Sequence, residues 1–223
     1  MADVAQRLRR MAAKAARRKA VVAEKKKLEA RPISLAGRVR LASKSPVARC
    51  VMSSVLFESG IGHIIVAREL PSGLLGCGYF LIDPFCLGVK DAFYIEMEED
   101  ELLSRLDEQE DLQKFVDVGL AHARKLVRDA AAYAAGLGLA AAKDTATVEA
   151  IFGDVDAGAC AETFTFGKDG KPFYVTGPLD TPARIRVVTR TLQDRCGTGG
   201  WDYMIQARPD DFGEGGLSFP EDE

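Results

Sequence analysis

Apolar positions change rhythm several times along this chain. In the first thirty residues Val4, Leu8, Met11 and Ala15 recur at 4-3-4 spacing, a narrow stripe that Arg18 and Lys19 then interrupt. Good helix formers fill residues 3–30, with no Gly or Pro before Pro32, so this segment reads as a helical arm over residues 1–31. A Pro- and Ser-containing stretch, 32–46, reads as a connector. From residue 47 the rhythm changes to strand-like runs rich in β-branched and apolar residues: 47–57, 61–70, 75–85 and 89–97. Gly60 and Gly62, then Pro71-Ser72-Gly73, then Cys86-Leu87-Gly88 separate them, which predicts an antiparallel meander with 76–82 central.

Helical spacing follows. A short acidic helix is expected over 98–106. The strongest helical pattern covers 111–135, where Leu112, Val116, Leu120, Ala123, Val127, Ala130 and Ala134 recur three or four apart before Gly136 and Gly138. A shorter helix is expected over 145–152. Residues 162–166 and 172–176 flank Gly167-Lys168-Asp169-Gly170-Lys171 and read as a hairpin. Thr181-Pro182 is an N-cap followed by an N1 proline, opening a helix with Ile185, Val188, Leu192 and Cys196 on one face. Gly197 closes it, and 200–207 reads as a last strand. These elements predict an α+β fold, an antiparallel sheet packed against a long helix, preceded by the basic helical arm. The implied organisation is arm 1–31, connector 32–46, a single α+β domain 47–208 and a disordered acidic tail 209–223.

Composition narrows the class. Apolar residues make up 47% and charged residues 28% of 223, enough for a packed core and incompatible with wholesale disorder. No apolar run is long enough to predict a membrane span. The charged N-terminus has no apolar centre and does not read as a secretory signal. The five cysteines are scattered without C-x-x-C spacing and read as free thiols of a reducing cytoplasm.

Charge changes the picture most. The formal net charge is −3, yet residues 1–50 hold fifteen Lys and Arg against three acids, a balance of +12. Residues 51–208 balance at −9. The last fifteen carry six acids and no base. A basic block joined to an acidic body points to an arm that binds something negative. The first aromatic residue is Phe57, so the arm has no ring for a base to stack on, and it has one Gln and no Asn to read adenine edges. What it offers is phosphate contact, which carries little sequence information. Arg7, Arg10, Lys14, Arg17, Arg18, Lys25 and Lys26 are the expected phosphate contacts, with Val4, Leu8 and Met11 docking the helix.

Other chemistry is thin. Asp83, Asp91 and Glu96 suggest carboxylates for a divalent metal, with Asp83 and Glu96 as the pair for a metal-dependent nuclease. Asp91 and Glu96 are five apart, however, and point to opposite faces of a regular strand. Gly88 stands two before Lys90, where the restriction-nuclease pattern needs an acid. Cys86 and His63 lack an orienting third group for a nucleophile and base. His122 shares a helix face with Phe115, Val118 and Leu126 and reads as a hydrogen-bonded, partly buried histidine. The glycine clusters at 73–78 and 197–200 do not match a phosphate loop. No cofactor motif is present and no cofactor is expected.

The segment Phe80-Leu81-Ile82-Asp83-Pro84-Phe85-Cys86-Leu87-Gly88-Val89-Lys90, with Phe166-Gly167-Lys168-Asp169-Gly170-Lys171-Pro172, resembles an uncharacterised bacterial protein family over roughly residues 50–200. The resemblance implies a bacterial cytoplasmic protein and brings no activity with it. Together these readings predict a non-enzymatic, cytoplasmic RNA- or ribosome-associated protein. The competing expectation is a protein-interaction module whose arm binds an acidic surface, or its own 209–223 tail. A metal-dependent nuclease is the third.

Overall fold

The computed structural model describes residues 33–108, 114–178 and 180–205. The arm expected over 1–31 and the tail expected over 209–223 lie outside the described residues. The chain opens with α1 (Leu35–Ala42), inside the stretch expected to be a connector. Ser34 caps it, its Oγ accepting from the Gly37 N–H at 3.2 Å. Val39 and Ala42 are fully buried, which makes this helix part of the core. Strand β1 (Val47–Ser53) follows. It ends short of Phe57, because Leu56–Ser59 turns as α2 and closes on Gly60 at φ 73°. Strands β2 (Gly62–Glu69), β3 (Leu75–Asp83) and β4 (Gly88–Met97) form the expected meander.

The next elements are α3 (Glu99–Glu108), β5 (Phe115–Asp117) and α4 (Leu120–Gly136). The helix expected over 111–135 is thus corrected: Phe115, Val116 and Asp117 pair with Ser53, Met52 and Val51 of β1, and α4 begins only after Gly119. The apolar spacing fits a helix, but the open edge of β1 offers backbone partners that a helix extension would forgo. Then come α5 (Thr145–Glu149), a 3-10 turn Ala150–Phe152, a second such turn Ala157–Ala159, β6 (Phe173–Val175), α6 (Pro182–Cys196) and β7 (Asp202–Met204).

The main sheet is antiparallel, five-stranded and ordered β4-β3-β2-β1-β5. Both faces are covered, which explains why β3 is apolar almost throughout. On one face Ile64, Val66, Phe80 and Ile82 pack against Ala123, Leu126, Val127 and Ala130 of α4, joined by Ile151 and Phe152. On the other, Ile65, Ala67, Cys77 and Tyr79 meet Leu102 and Leu106 of α3. Burying each of these two leucines contributes roughly 1.5–3 kcal/mol. Glu99, Asp100 and Glu101 occupy the first turn of α3, where the helix dipole favours anions.

The hairpin expected around residues 167–171 is also corrected. The turn itself forms, with a Lys168–Lys171 bridge and Gly167, Asp169 and Gly170 all at positive φ. Its flanks then part. Gly167 N–H donates to the Pro84 carbonyl and Phe173 N–H to the Phe85 carbonyl, while β6 pairs in parallel with β7. Phe164 and Phe166 instead join an aromatic group: Phe164 stacks on Phe57 at 6.0 Å and Phe166 on Tyr133 at 5.1 Å. Helix α6 forms as expected, with Thr181 Oγ1 accepting from the Arg184 N–H. Its Val188 and Leu192 close a third apolar cluster with Cys86, Leu87 and Tyr174, beside the turn between β3 and β4. Among the described residues no helix is long and apolar enough to cross a membrane.

Candidate functional site

The expected phosphate contacts, Arg7, Arg10, Lys14, Arg17, Arg18, Lys25 and Lys26, lie outside the described residues. The proposed metal pair does not assemble. In the β3–β4 ladder Asp83 stands opposite Gly88, while Glu96 stands opposite Gly76 at the other end. Seven residues of β3 separate those positions, roughly 23 Å at strand rise. Among the described residues no three His, Cys, Asp or Glu side chains are grouped to hold a metal ion.

Each carboxylate has a local task instead. Asp83 is buried, and its Oδ1 accepts from the N–H groups of Phe85 (3.0 Å) and Cys86 (2.9 Å), fixing the turn into β4. Glu96 accepts from the Tyr94 hydroxyl at 3.2 Å and faces Arg38 at 3.8 Å. Asp91 accepts from the N–H of Ala92.

Burial pushes the Asp83 carboxyl up from 3.8 to about 6, against the opposing pull of the turn N–H groups and Lys90. A carboxyl whose value is higher folded than unfolded takes up a proton on folding between those two values. Stability should therefore rise as pH falls from about 6 towards 4, and above 6 the ionised form costs on the order of 2–3 kcal/mol. Asp83→Asn keeps the Oδ1 acceptor and removes the charge. Its urea midpoint should exceed that of the wild type at pH 7, and the gap should close by about pH 4. A constant gap across that range would exclude this role.

Cys86 and His63 do not form a nucleophile and base. Cys86 is buried with Tyr174, Val188 and Leu192, and burial raises its thiol further from ionisation. His63 lines a groove on the sheet face that carries α3, where burial lowers its imidazole. His122 is half-buried as expected, with Nδ1 3.0 Å from Glu162 Oε2 and its ring edge-on to Phe164 at 5.1 Å.

The groove beside α3 encloses about 450 Å³. Its floor includes Tyr79 and Phe93, stacked at 4.8 Å and 6°, and its wall carries Glu101, Ser104, Arg105 and Glu108. Arg105 is held by Glu101 at 2.8 Å. Excess carboxylate on this wall makes the groove a poor seat for phosphate.

A second cleft, about 620 Å³, lies between β4, the 138–143 loop and α6. Its apolar floor includes Leu87, Val89, Leu139 and Val188, and its cations are Lys90, Lys143 and Arg184. Sequence reasoning missed these residues. The apolar stripe of α6 was legible, but the cleft where Arg184 meets Lys90 and Lys143 forms only on folding. Arginines of the body are held by acids, Arg184 by buried Asp180, Arg49 by Asp117 and both Arg124 and Arg128 by Glu149. No protein-family model matches the chain, and no curated protein or solved structure matches it either.

Proposed function

We propose that this is a non-enzymatic, RNA- or ribosome-associated protein of a bacterial cytoplasm, which grips phosphate backbone through its basic N-terminal segment. One observation carries the reading: fifteen Lys and Arg against three acids in residues 1–50, followed by a body of opposite sign. Like charges at this density repel one another along a helix, and a polyanion relieves that repulsion while releasing condensed counterions. The body's ion pairs are consistent with this division of labour, since Arg105, Arg124 and Arg128 face carboxylates of the body itself. With no aromatic residue before Phe57, binding is driven by phosphate and poor in sequence preference.

A filter-binding titration of the full chain on a structured RNA tests the reading. Seven phosphate contacts predict that deleting residues 1–32 removes about 5 to 6 from the slope of log K against log salt. Affinity of the intact chain should fall by about a thousandfold or more between about 50 and 200 mM salt. A flat plot for the intact chain, or unchanged affinity after the deletion, rejects the proposal.

A further inference from the structure

We infer that the exposed arginines of α6 and the cleft beside them form a second phosphate-contact surface on the folded body; the inference rests on the RNA reading above. The sequence Pro182–Cys196 carries Arg184, Arg186, Arg190 and Arg195 against one acid, Asp194. Val188 and Leu192 commit one face to the core. Arg184 and Arg195 flank that face, Arg184 held by Asp180 at 2.9 Å and Arg195 donating to the Gly136 carbonyl at 2.9 Å, while Arg186 and Arg190 are exposed on the other side. Arg186 and Arg190 stand one helical turn apart on the outer face, so their heads are neighbours. The side chain of Arg190 is 85% exposed, and its contact with Asp194, at 4.0 Å, is too long and too wet to hold it. Between these arginines Val187 is 65% exposed.

Folding adds to this set. Lys90 from β4 and Lys143 from the loop after α4 line the cleft that meets this helix at Arg184 and Val187, so two further segments bring cations to its edge. Two acids stand close by. Buried Asp180 accepts from the Tyr174 hydroxyl (3.0 Å), the Gly177 N–H (2.8 Å) and Arg184 (2.9 Å), and Asp91 accepts from Ala92 N–H. The cleft lining contains no aromatic ring on which a base could stack. Guanidinium forks on an exposed helix suit phosphate oxygens, which they bind through paired N–H groups. The acidic helix α3 covers the sheet face opposite α4.

The test uses the full chain carrying Arg186→Ala and Arg190→Ala together, with thermal melting as a folding check, since both side chains are exposed. On structured RNA the salt slope should fall by about 1 for each contact removed, and affinity should drop uniformly across unrelated RNA sequences. Arg186→Lys with Arg190→Lys should keep most of the slope, because charge is what is read. The chain lacking residues 1–32 should retain a residual slope, whose magnitude the double alanine change reduces by about 2. If the deletion alone flattens the plot and the alanine pair changes nothing, this inference falls and the arm reading stands. If the intact chain shows no salt-dependent binding, both fall.

Discussion

Replacing Arg68 by methionine is expected to remove roughly 3–5 kcal/mol of stability, the largest loss from a single polar side chain in this fold. Arg68 is 6% exposed at the end of β2. Its Nε donates to the Ile151 carbonyl at 3.1 Å, Nη1 to Ser45 at 3.0 Å and Nη2 to Phe152 at 3.0 Å. One guanidinium thus ties the sheet to the segment after α1 and to the 3-10 turn that closes the main core. Methionine matches much of its volume and leaves those acceptors without a donor, two of them in buried surroundings. Lysine has a single ammonium for three diverging carbonyls and should recover only part of the loss. Urea melts should place the methionine variant lowest and the lysine variant between. The melting temperature should fall by roughly 10 °C in a domain of this size. A methionine variant within about 1 kcal/mol of wild type would show that water satisfies these carbonyls.

The second large effect is expected at Gly88, where β4 begins at φ 65°. A Cβ placed there would lie 2.3 Å from the Ala130 carbonyl oxygen and 2.8 Å from the Ala134 Cβ, so the backbone of α4 presses directly on the glycine. Two penalties combine in Gly88→Ala: the left-handed backbone disfavours an L residue by about 1–2 kcal/mol, and the helix must lift from the sheet. The combined loss should be roughly 3 kcal/mol or more, read as a lower urea midpoint or as insoluble protein. Gly73 supplies the control. It has φ 89° with nothing within 4 Å, so Gly73→Ala should show the backbone penalty alone. Equal losses at the two sites would mean that α4 yields freely at Gly88.

Much of the body was legible because its signals are local. Thr181-Pro182 and Gly197 bound α6 where capping chemistry places them, and the glycine and proline turns separate β2, β3 and β4 as expected. Residues 115–117 were misread because spacing alone cannot reveal that β1 has an open edge waiting beside them. The turn at 167–171 was correctly located and its partners were not. A turn is decided by a few dihedrals, whereas the pairing of β6 with β7 depends on a helix and a loop that lie between them. The candidate metal pair failed for a similar reason: register, invisible in one strand, puts Asp83 and Glu96 at opposite ends of a ladder.

The amino-acid order by itself determined the meander of β2, β3 and β4, the caps of α6, and the partition of charge between a basic beginning and an acidic remainder. Those properties follow from preferences that act within a turn or two of chain, or from simple counting. Only the tertiary structure decided that both sheet faces are covered, that Asp83 is buried as a turn-forming acceptor, and that Lys90 and Lys143 line one cleft with Arg184 of α6. Contacts of that kind join residues far apart in sequence. Their energy depends on which faces and edges the other elements leave open, and no short stretch of sequence carries that information.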